Sequence, residues 1–446
     1  MKPLFKLPEI YFTPRSYALT AALVLIYLVG FMNVFFYHLA NILLLLLLLV
    51  FAIDVFILFR NKNGVIAKRL TDTKLSNGDE NVVSIHIENH FSFKVQITLI
   101  DELPIQFQLR DFERKITIES GKENYIRYSL RPVERGEYYF GAIRVFVSSV
   151  LKLIERRFSF EQGTMLPVYP SFIQMRKYEL LAIHNKLTAG GIKKIRRIGQ
   201  TAEFDQIKEY VAGDDIRTVN WKATARRDKL MVNQYQDEKS QQVYCLVDMG
   251  RNMKMPFERM ALLDYAINAS LVISNIAHIK NDKPGLITFT HQIHSCVAAE
   301  RRNSQMKRII ETLYNQKTNY SESDFERLYI YVKRSINQRS LLLMFTNFES
   351  LSSLKRQLKY LKQIAKQHLL VVIFFENTEL KTLLNKDATT TFDIYYKTIA
   401  EKFELEKRLI IKELAACGIQ SIYTAPQNLS VNTINKYLEL KARGLV

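Results

Sequence analysis

Cysteine is nearly missing from this sequence, with three residues in 446. Cys245, Cys296 and Cys417 are far apart and no CxxC pair occurs, which excludes a disulfide framework and a cysteine-based zinc site. They read as buried structural thiols in a reducing compartment. Tryptophan is scarcer still, a single residue at position 221. Neither GxxxxGKS/T nor GxGxxG is present, so the common phosphate loops are excluded. Four of the histidines, His184, His278, His291 and His294, stand apart from one another. The last two are three apart on an expected strand, a spacing that points them to opposite faces. There is no ribonucleoprotein motif and no paired Cys/His finger. The formal charge of +19 is spread along the chain rather than gathered in one arm. Membrane lipid is therefore the expected anionic neighbour, and nucleic acid is not.

Charge is missing from one long run. Residues 16–59 hold a single charged side chain, Asp54. A bilayer core about 30 Å thick needs about 20 helical residues. The run therefore predicts two crossings with a turn near Asn33 to His38. It is too long for a cleaved signal peptide. Lys2, Lys6 and Arg15 precede it, Arg60, Lys62, Lys68 and Arg69 follow it, and the turn has no base. Both ends are then expected in the cytoplasm, with the bulk of the chain on that side. Asp54, near Arg60, is expected to snorkel to the interface or to pair there.

Beyond the run the texture changes twice. Residues 65–170 alternate in short apolar–polar strings such as VVSIHIEN and KVQITLID, divided by Asn77-Gly78 and Arg135-Gly136. This predicts a small β-sandwich that packs or docks. Residues 171–240 are polar, and KLTAGGIKKIRRIG reads as a basic surface loop. Over residues 241–446, continuous apolar strings (VYCLVDM, PGLITF, LLLMFT, LLVVIFF) alternate with long amphipathic ones. Such strands need cover on both faces, so a doubly wound α/β domain is expected. The chain is thus multidomain: an N-terminal segment 1–15, a transmembrane hairpin 16–60, the sandwich, a polar linker and an α/β domain.

The polar linker holds the densest signal. EFDQIKEYVAGDDIRTVNWKATARRDKLMVNQYQDE, residues 203–238, packs eight acids, six bases and Trp221 into 36 residues. Asp214 or Asp215 is placed to cap a helix through IRTVNWKATARR, and Arg226-Arg227 lie near its other end, both favourable to the helix dipole. Ile216, Val219 and Ala223 share one face, expected to be buried, with Arg217 and Lys222 off it. Three readings stay open. The charges seal this helix onto the α/β domain. Alternatively Glu203, Asp205, Asp214, Asp215, Arg217, Trp221, Arg226 and Arg227 form a partner-recognition surface. Or Glu203, Asp205 and Asp214 are catalytic, although no nucleophile or histidine accompanies them.

This block, read with RRIGQTA before it, closely resembles the signature of the bacterial "domain of unknown function 58" family. The resemblance implies a transmembrane hairpin, a β module with an RGEY-like turn, and a C-terminal fold like the von Willebrand factor type A domain. It also implies association with a MoxR-type AAA+ ATPase in assembling or activating other complexes, with no established enzymatic activity. Type A domains usually carry an Asp-x-Ser-x-Ser turn that ligates a divalent cation. Here Asp248 remains, but Gly250 and Asn252 stand where the serines would be. Asn347 stands where a further aspartate is common, and Thr318 is the threonine candidate. Asp248, Asn252, Thr318 and Asn347 are therefore expected to form a degenerate site with weak or no Mg²⁺ binding, and no other cofactor is expected. The primary expectation is a membrane-anchored adaptor. The alternatives are a metal-dependent hydrolase using acids of 203–215 near Asp248, and a purely structural membrane protein.

Overall fold

The computed structural model describes residues 9–110, 112–160, 163–183, 203–211, 214, 216–236, 240–318, 320–385, 387 and 390–445. The basic string KLTAGGIKKIRRIG, His184, Gly213 and Asp215 lie outside them. The chain divides into two compact units, residues 1–169 and 170–446.

The first unit opens with β1 (Ile10–Phe12), α1 (Pro14–Gly30) and α2 (Val34–Phe59). Thr13 and Asn33 cap the two helices, so residues 34–38, expected in the turn, are already helical. Both helices present large apolar side chains outward, among them Leu25 at 63% and Leu45 at 69% exposure. An 18-residue stretch within the 26 residues of α2 has a mean hydropathy of 3.3, and the helix has length and apolarity enough to cross a bilayer. Helix Leu262–Ile279 is also apolar, but it is the buried core helix of the other unit.

Asp54 is the correction in this region. It neither snorkels nor pairs with Arg60. It is fully buried and accepts hydrogen bonds from Ser149 Oγ and from the backbone N–H of Leu153 (3.3 Å) and Ile154 (3.1 Å). A carboxylate is a strong acceptor for amides left unpaired where a loop enters a strand. The helix end is met in turn by Arg156, whose Nη1 donates to the carbonyls of Leu58 and Asn61, both at 2.8 Å.

Ten further strands follow: β2 (Val65–Leu70), β3 (Leu75–Ser76), β4 (Asn81–Asn89), β5 (Val95–Asp101), β6 (Glu113–Ile118), β7 (Glu123–Leu130), β8 (Gly136–Phe140), β9 (Ile143–Ser148), β10 (Ile154–Phe160) and β11 (Thr164–Tyr169). Sheets β1-β10-β9-β5-β6 and β2-β4-β7 face each other across one core, which includes Ile85, Ile87, Ile97, Leu99, Val145 and Leu58 of α2. The third sheet, β3-β11-β8, has a smaller core around Tyr138 and Phe140. Inside the unit, buried Arg69 and Asp101 form an ion pair that Tyr128 Oη joins as donor. The Tyr128 hydroxyl is strongly held protonated, by burial first and then by the Asp101 charge.

The second unit begins with α3 (Phe172–Ile183), packed on the helix Leu262–Ile279, and a separate hairpin. The hairpin consists of β12 (Glu203–Glu209), α4 (Trp221–Arg227) and β13 (Met231–Gln236). The large sheet contains β14 (Gln242–Asp248), β17 (Lys283–Phe289), β18 (Ile293–Val297), β19 (Leu341–Phe345), β20 (Leu369–Phe375) and β21 (Gln420–Thr424). A short pair, β15 (Pro256–Phe257) and β16 (Met260–Ala261), precedes α5 (Leu262–Ile279). The order is β18-β17-β14-β19-β20-β21, parallel except for edge strand β18. Alternate side chains of β14 enter different cores. Val243, Cys245 and Val247 meet α5, α6 (Gln305–Tyr314) and α11 (Leu429–Ala442). Tyr244 and Leu246 meet α7 (Phe325–Ser335), α8 (Leu351–Gln367) and α10 (Thr391–Ala416). A two-faced α/β sheet is thus present. The remaining short helix is α9 (Thr378–Asn385).

Two expectations for this unit fail. Cys296 is exposed rather than buried, because β18 has a solvent-facing side; Cys417 is half-buried and only Cys245 is enclosed. His291 and His294 do not point apart. His291 precedes β18 and the register shifts at Thr288/Phe289, so both rings reach Thr290 Oγ1, at 3.2 Å and 2.7 Å.

Candidate functional site

Parallel strands of an open sheet end at one edge, and ligands collect there. At this edge Asp248 closes β14 and is almost wholly buried. Its Oδ1 accepts from Gly250 N–H (2.8 Å) and from Ser323 Oγ, and its Oδ2 accepts from Thr346 Oγ1 at 2.6 Å. Burial raises the Asp248 pKa, against these hydrogen bonds, which favour the charged form. A polar cleft of about 100 Å³ opens beside it, lined by Asn252, Arg251, Glu322, Ser323, Asn347 and Arg356 among others. Asn252 Nδ2 donates to the Asn347 carbonyl at 3.3 Å, while Asn252 Oδ1 is buried and has no partner among the described residues.

Asp248, Asn252 and Asn347 are therefore together, and Thr318 is not among the cleft residues. The hydroxyls come from Ser323 and Thr346, which the sequence reading missed. Thr346 was within reach of it, because it directly follows a fully buried strand. Ser323 was not. Its position explains Gly250: a Cβ there would lie 2.2 Å from Ser323 Oγ. The hydroxyl absent from residue 250 is supplied by a neighbouring loop, into the space a side chain would have filled.

Asp248 is the carboxylate at the centre of this donor set, and both its oxygens accept hydrogen bonds; Glu322 and Glu349 also line the cleft. Asn347 Oδ1 accepts from the ammonium of Lys407 at 3.2 Å. Lys407 also donates to the Phe348 carbonyl.

Lys407 belongs to a second, larger cavity of about 270 Å³, which shares Asn347 and Glu349 with the polar cleft. Its walls are mainly apolar, with Phe257, Phe375 and Phe403 among them. Burial lowers the Lys407 pKa to about 8, against the raising influence of Glu349, Glu406 and Glu404. Tyr423 Oη donates to Glu404 Oε2 at 3.1 Å in the same cavity. Nothing in the α10 string IAEKFELEKRLIIKELAA sets Lys407 apart from the solvated lysines around it.

The 203–238 block corrects its expected form. Residues 216–218 are a turn of 3₁₀ helix and the α-helix starts only at Trp221. Asn220, not an aspartate, caps it by accepting from Ala223 N–H at 3.0 Å. Asp214 instead accepts from Lys208 Nζ (2.9 Å) and Val211 N–H (3.0 Å), contacts that lower its pKa. Ile216, expected to be buried, is 70% exposed. The helix is tied to β13 by neutral groups: Asn220 Nδ2 to Asn233 Oδ1 (2.8 Å) and Met231 N–H to Thr224 Oγ1 (3.0 Å). Arg217, Arg226 and Arg227 are exposed, as is Trp221 at 71%. Among the described residues, neither Arg226 nor Arg227 makes an ion pair. Glu203 and Asp205 lie in β12, and no described residue of the block lines the Asp248 cleft.

Residues 206–387 match the family described as "Protein of unknown function DUF58". The "Uncharacterized protein YeaD" of Bacillus subtilis (strain 168) is 28% identical over 196 residues, which cover 41% of this chain and 47% of that protein. The chain thus spans about half the length of the curated relative it matches. Solved structures are only distantly similar. Proximal thread matrix protein 1 from the mussel byssus aligns at 8% identity and a TM-score of 0.27, covering 45% of each chain. The ASH/PapD-like domain of human CEP192 aligns at 14% identity and a TM-score of 0.19, covering 24% of this chain and 87% of that one. Likenesses this slight carry no argument.

Proposed function

Residues 206–387 being a DUF58 region, we propose that this chain is a membrane-anchored adaptor whose α4 hairpin docks a partner protein, a MoxR-type AAA+ ATPase. In this reading α1 and α2 cross a bacterial inner membrane as a hairpin with both chain ends in the cytoplasm. The sheet ending at Asp248 is of the von Willebrand factor type A-like kind, and its polar cleft serves binding rather than catalysis.

One observation carries the docking surface. Trp221, Arg226 and Arg227 are held out in solvent on a helix that neutral hydrogen bonds secure. Exposed tryptophan and arginine are the residue types that dominate binding energy once a partner covers them. Because the arginines are not part of the helix's own staples, they are available for an acidic partner surface, where they would favour salt-sensitive, specific association.

The test is co-purification with the ATPase from native membranes after cross-linking. Trp221→Ala and the double change Arg226→Glu, Arg227→Glu should each weaken capture, while the melting curve stays that of the wild type. Full capture of the ATPase by a normally melting double variant at physiological salt would place the docking surface elsewhere.

A further inference from the structure

The outward face of sheet β2-β4-β7 carries an arrangement unrelated to the Asp248 edge. Along β4 the side chains alternate, so His86 and Glu88 share the solvent side, and His90 follows just beyond the strand. Glu88 is registered directly opposite Glu123 of β7. Two acids facing each other across an antiparallel pair repel. Lys68 of β2 is registered opposite His86, yet forms no ion pair with either acid among the described residues.

His86 is seated between the two carboxylates. Its Nε2 is 2.7 Å from Glu123 Oε2 and its Nδ1 is 3.6 Å from Glu88 Oε1. Tyr125, opposite on β7, stacks on the imidazole with ring centroids 4.6 Å apart and 22° between planes. The ring is thereby fixed, with 18% of the side chain exposed, while the two glutamates are more open at 37% and 58%. One donor atom from each of His86, Glu88 and Glu123 lies within 4.8 Å of the others. His90 Nε2 contacts the other oxygen of Glu88, Oε2, at 3.0 Å.

We propose that His86, Glu88 and Glu123 form a zinc-binding site on this sheet, with His90 orienting Glu88. Zinc takes imidazole nitrogen and carboxylate oxygen at about 2.0–2.2 Å, which sets tetrahedral donors about 3.4 Å apart; the Nε2–Oε2 pair at 2.7 Å must open a little, and donors as far apart as 4.8 Å must close by about 1 Å. The half-exposed glutamates can make that movement while the stacked imidazole stays in place. The cation removes the repulsion between the facing acids and joins β4 to β7. An imidazole in the set favours zinc over Mg²⁺ or Ca²⁺, which take oxygen donors. Three protein donors leave a fourth position for water or for a donor from another molecule. His90 acts from outside the coordination sphere, as hydrogen-bonding partners of metal-bound carboxylates do.

The experiment is calorimetric titration of the full-length, metal-stripped protein in detergent with a zinc salt. One zinc per chain is expected, with a rise in melting temperature and no displacement by excess Mg²⁺. His86→Ala should abolish uptake, Glu123→Gln should weaken it about tenfold or more, and His90→Ala should weaken it by a similar or smaller factor. The double change His291→Ala, His294→Ala should leave it unchanged. Metal-free melting of each variant is compared with the wild type. Should His86→Ala melt early, Glu123→Gln decides, because that side chain is exposed and on the other strand. Absence of stoichiometric uptake at micromolar zinc would overturn the proposal. So would uptake that survives both His86→Ala and Glu123→Gln.

Discussion

Buried acids serve two ends in this protein: Asp101 of the first unit and Asp282 of the second are each paired with a buried cation and a tyrosine, Arg69 with Tyr128 and Lys441 with Tyr437, while Asp248 accepts only from hydroxyls and an amide among the described residues. In the first unit Asp101 is locked to Arg69 and Tyr128, and Asp54 to three donors of the loop entering β10. Neither lines a cavity described in that unit. In the second unit Asp248 is as buried, and accepts as many hydrogen bonds, but it borders a polar cleft at the end of a parallel sheet. The donor types differ too. Asp101 faces a full positive charge. Asp248 faces only hydroxyls and an amide, so its charge is solvated but not cancelled. Burial alone therefore does not separate a structural acid from one at a binding edge; the chemistry of its donors and the space beside it do.

That contrast can be broken first at its strongest point. Arg69→Met should leave Asp101 buried without its counter-charge and cost about 3–5 kcal/mol, read as a fall in the urea midpoint of the full chain in detergent. Asp54→Ala should cost about 3 kcal/mol, because it strands Ser149 and two backbone amides. If Asp54 were only an interfacial side chain, thermal melting would barely change. At the other edge, Asp248→Ala should cost about 2 kcal/mol, whereas Asp248→Asn should cost under about 1 kcal/mol, since hydroxyl donors can turn to accept from its amide. A severe loss on Asp248→Asn would make Asp248 a structural acid like Asp101.

Lys407 gives the smallest and most specific test. Its folded pKa of about 8 lies below the ordinary lysine value. Between those two values the unfolded chain binds the extra proton, so wild-type stability should rise with pH from about 8 towards 10. Relative to Lys407→Met, the gain should be on the order of 1–2 kcal/mol. A flat difference between the two proteins over that window would show that Lys407 is solvated.

Some of this was legible in the residues. The apolar runs of β14, β17, β19 and β20 predict a sheet covered on both faces, because buried strands cannot alternate. The alternation in VVSIHIEN and KVQITLID predicts strands with one wet side. The charge-free 16–59 run predicts two long apolar helices. What stayed hidden depends on distant partners. Asp54 is completed by residues 149–154, and Gly250 makes sense only beside Ser323. The helix expected from Ile216 starts later: Asp214 is held by Lys208 and Val211, Asn220 caps the helix instead, and Ile216 is left in solvent. Helical spacing shows which residues share a face, but not whether anything covers that face. His86 was overlooked because its ligand partner Glu123 lies on another strand.

The Asp54 contacts also set a schedule for making the protein. The carboxylate leaves the ribosome 95 residues before Ser149 and 100 before Ile154. At ordinary translation rates that is a wait of about 5–20 s. Throughout it, an acid within a 26-residue apolar helix has none of its final donors and must be met by water. The helix end can therefore settle only after β10 emerges, which makes completion of that sheet the step that lets α2 reach its final place.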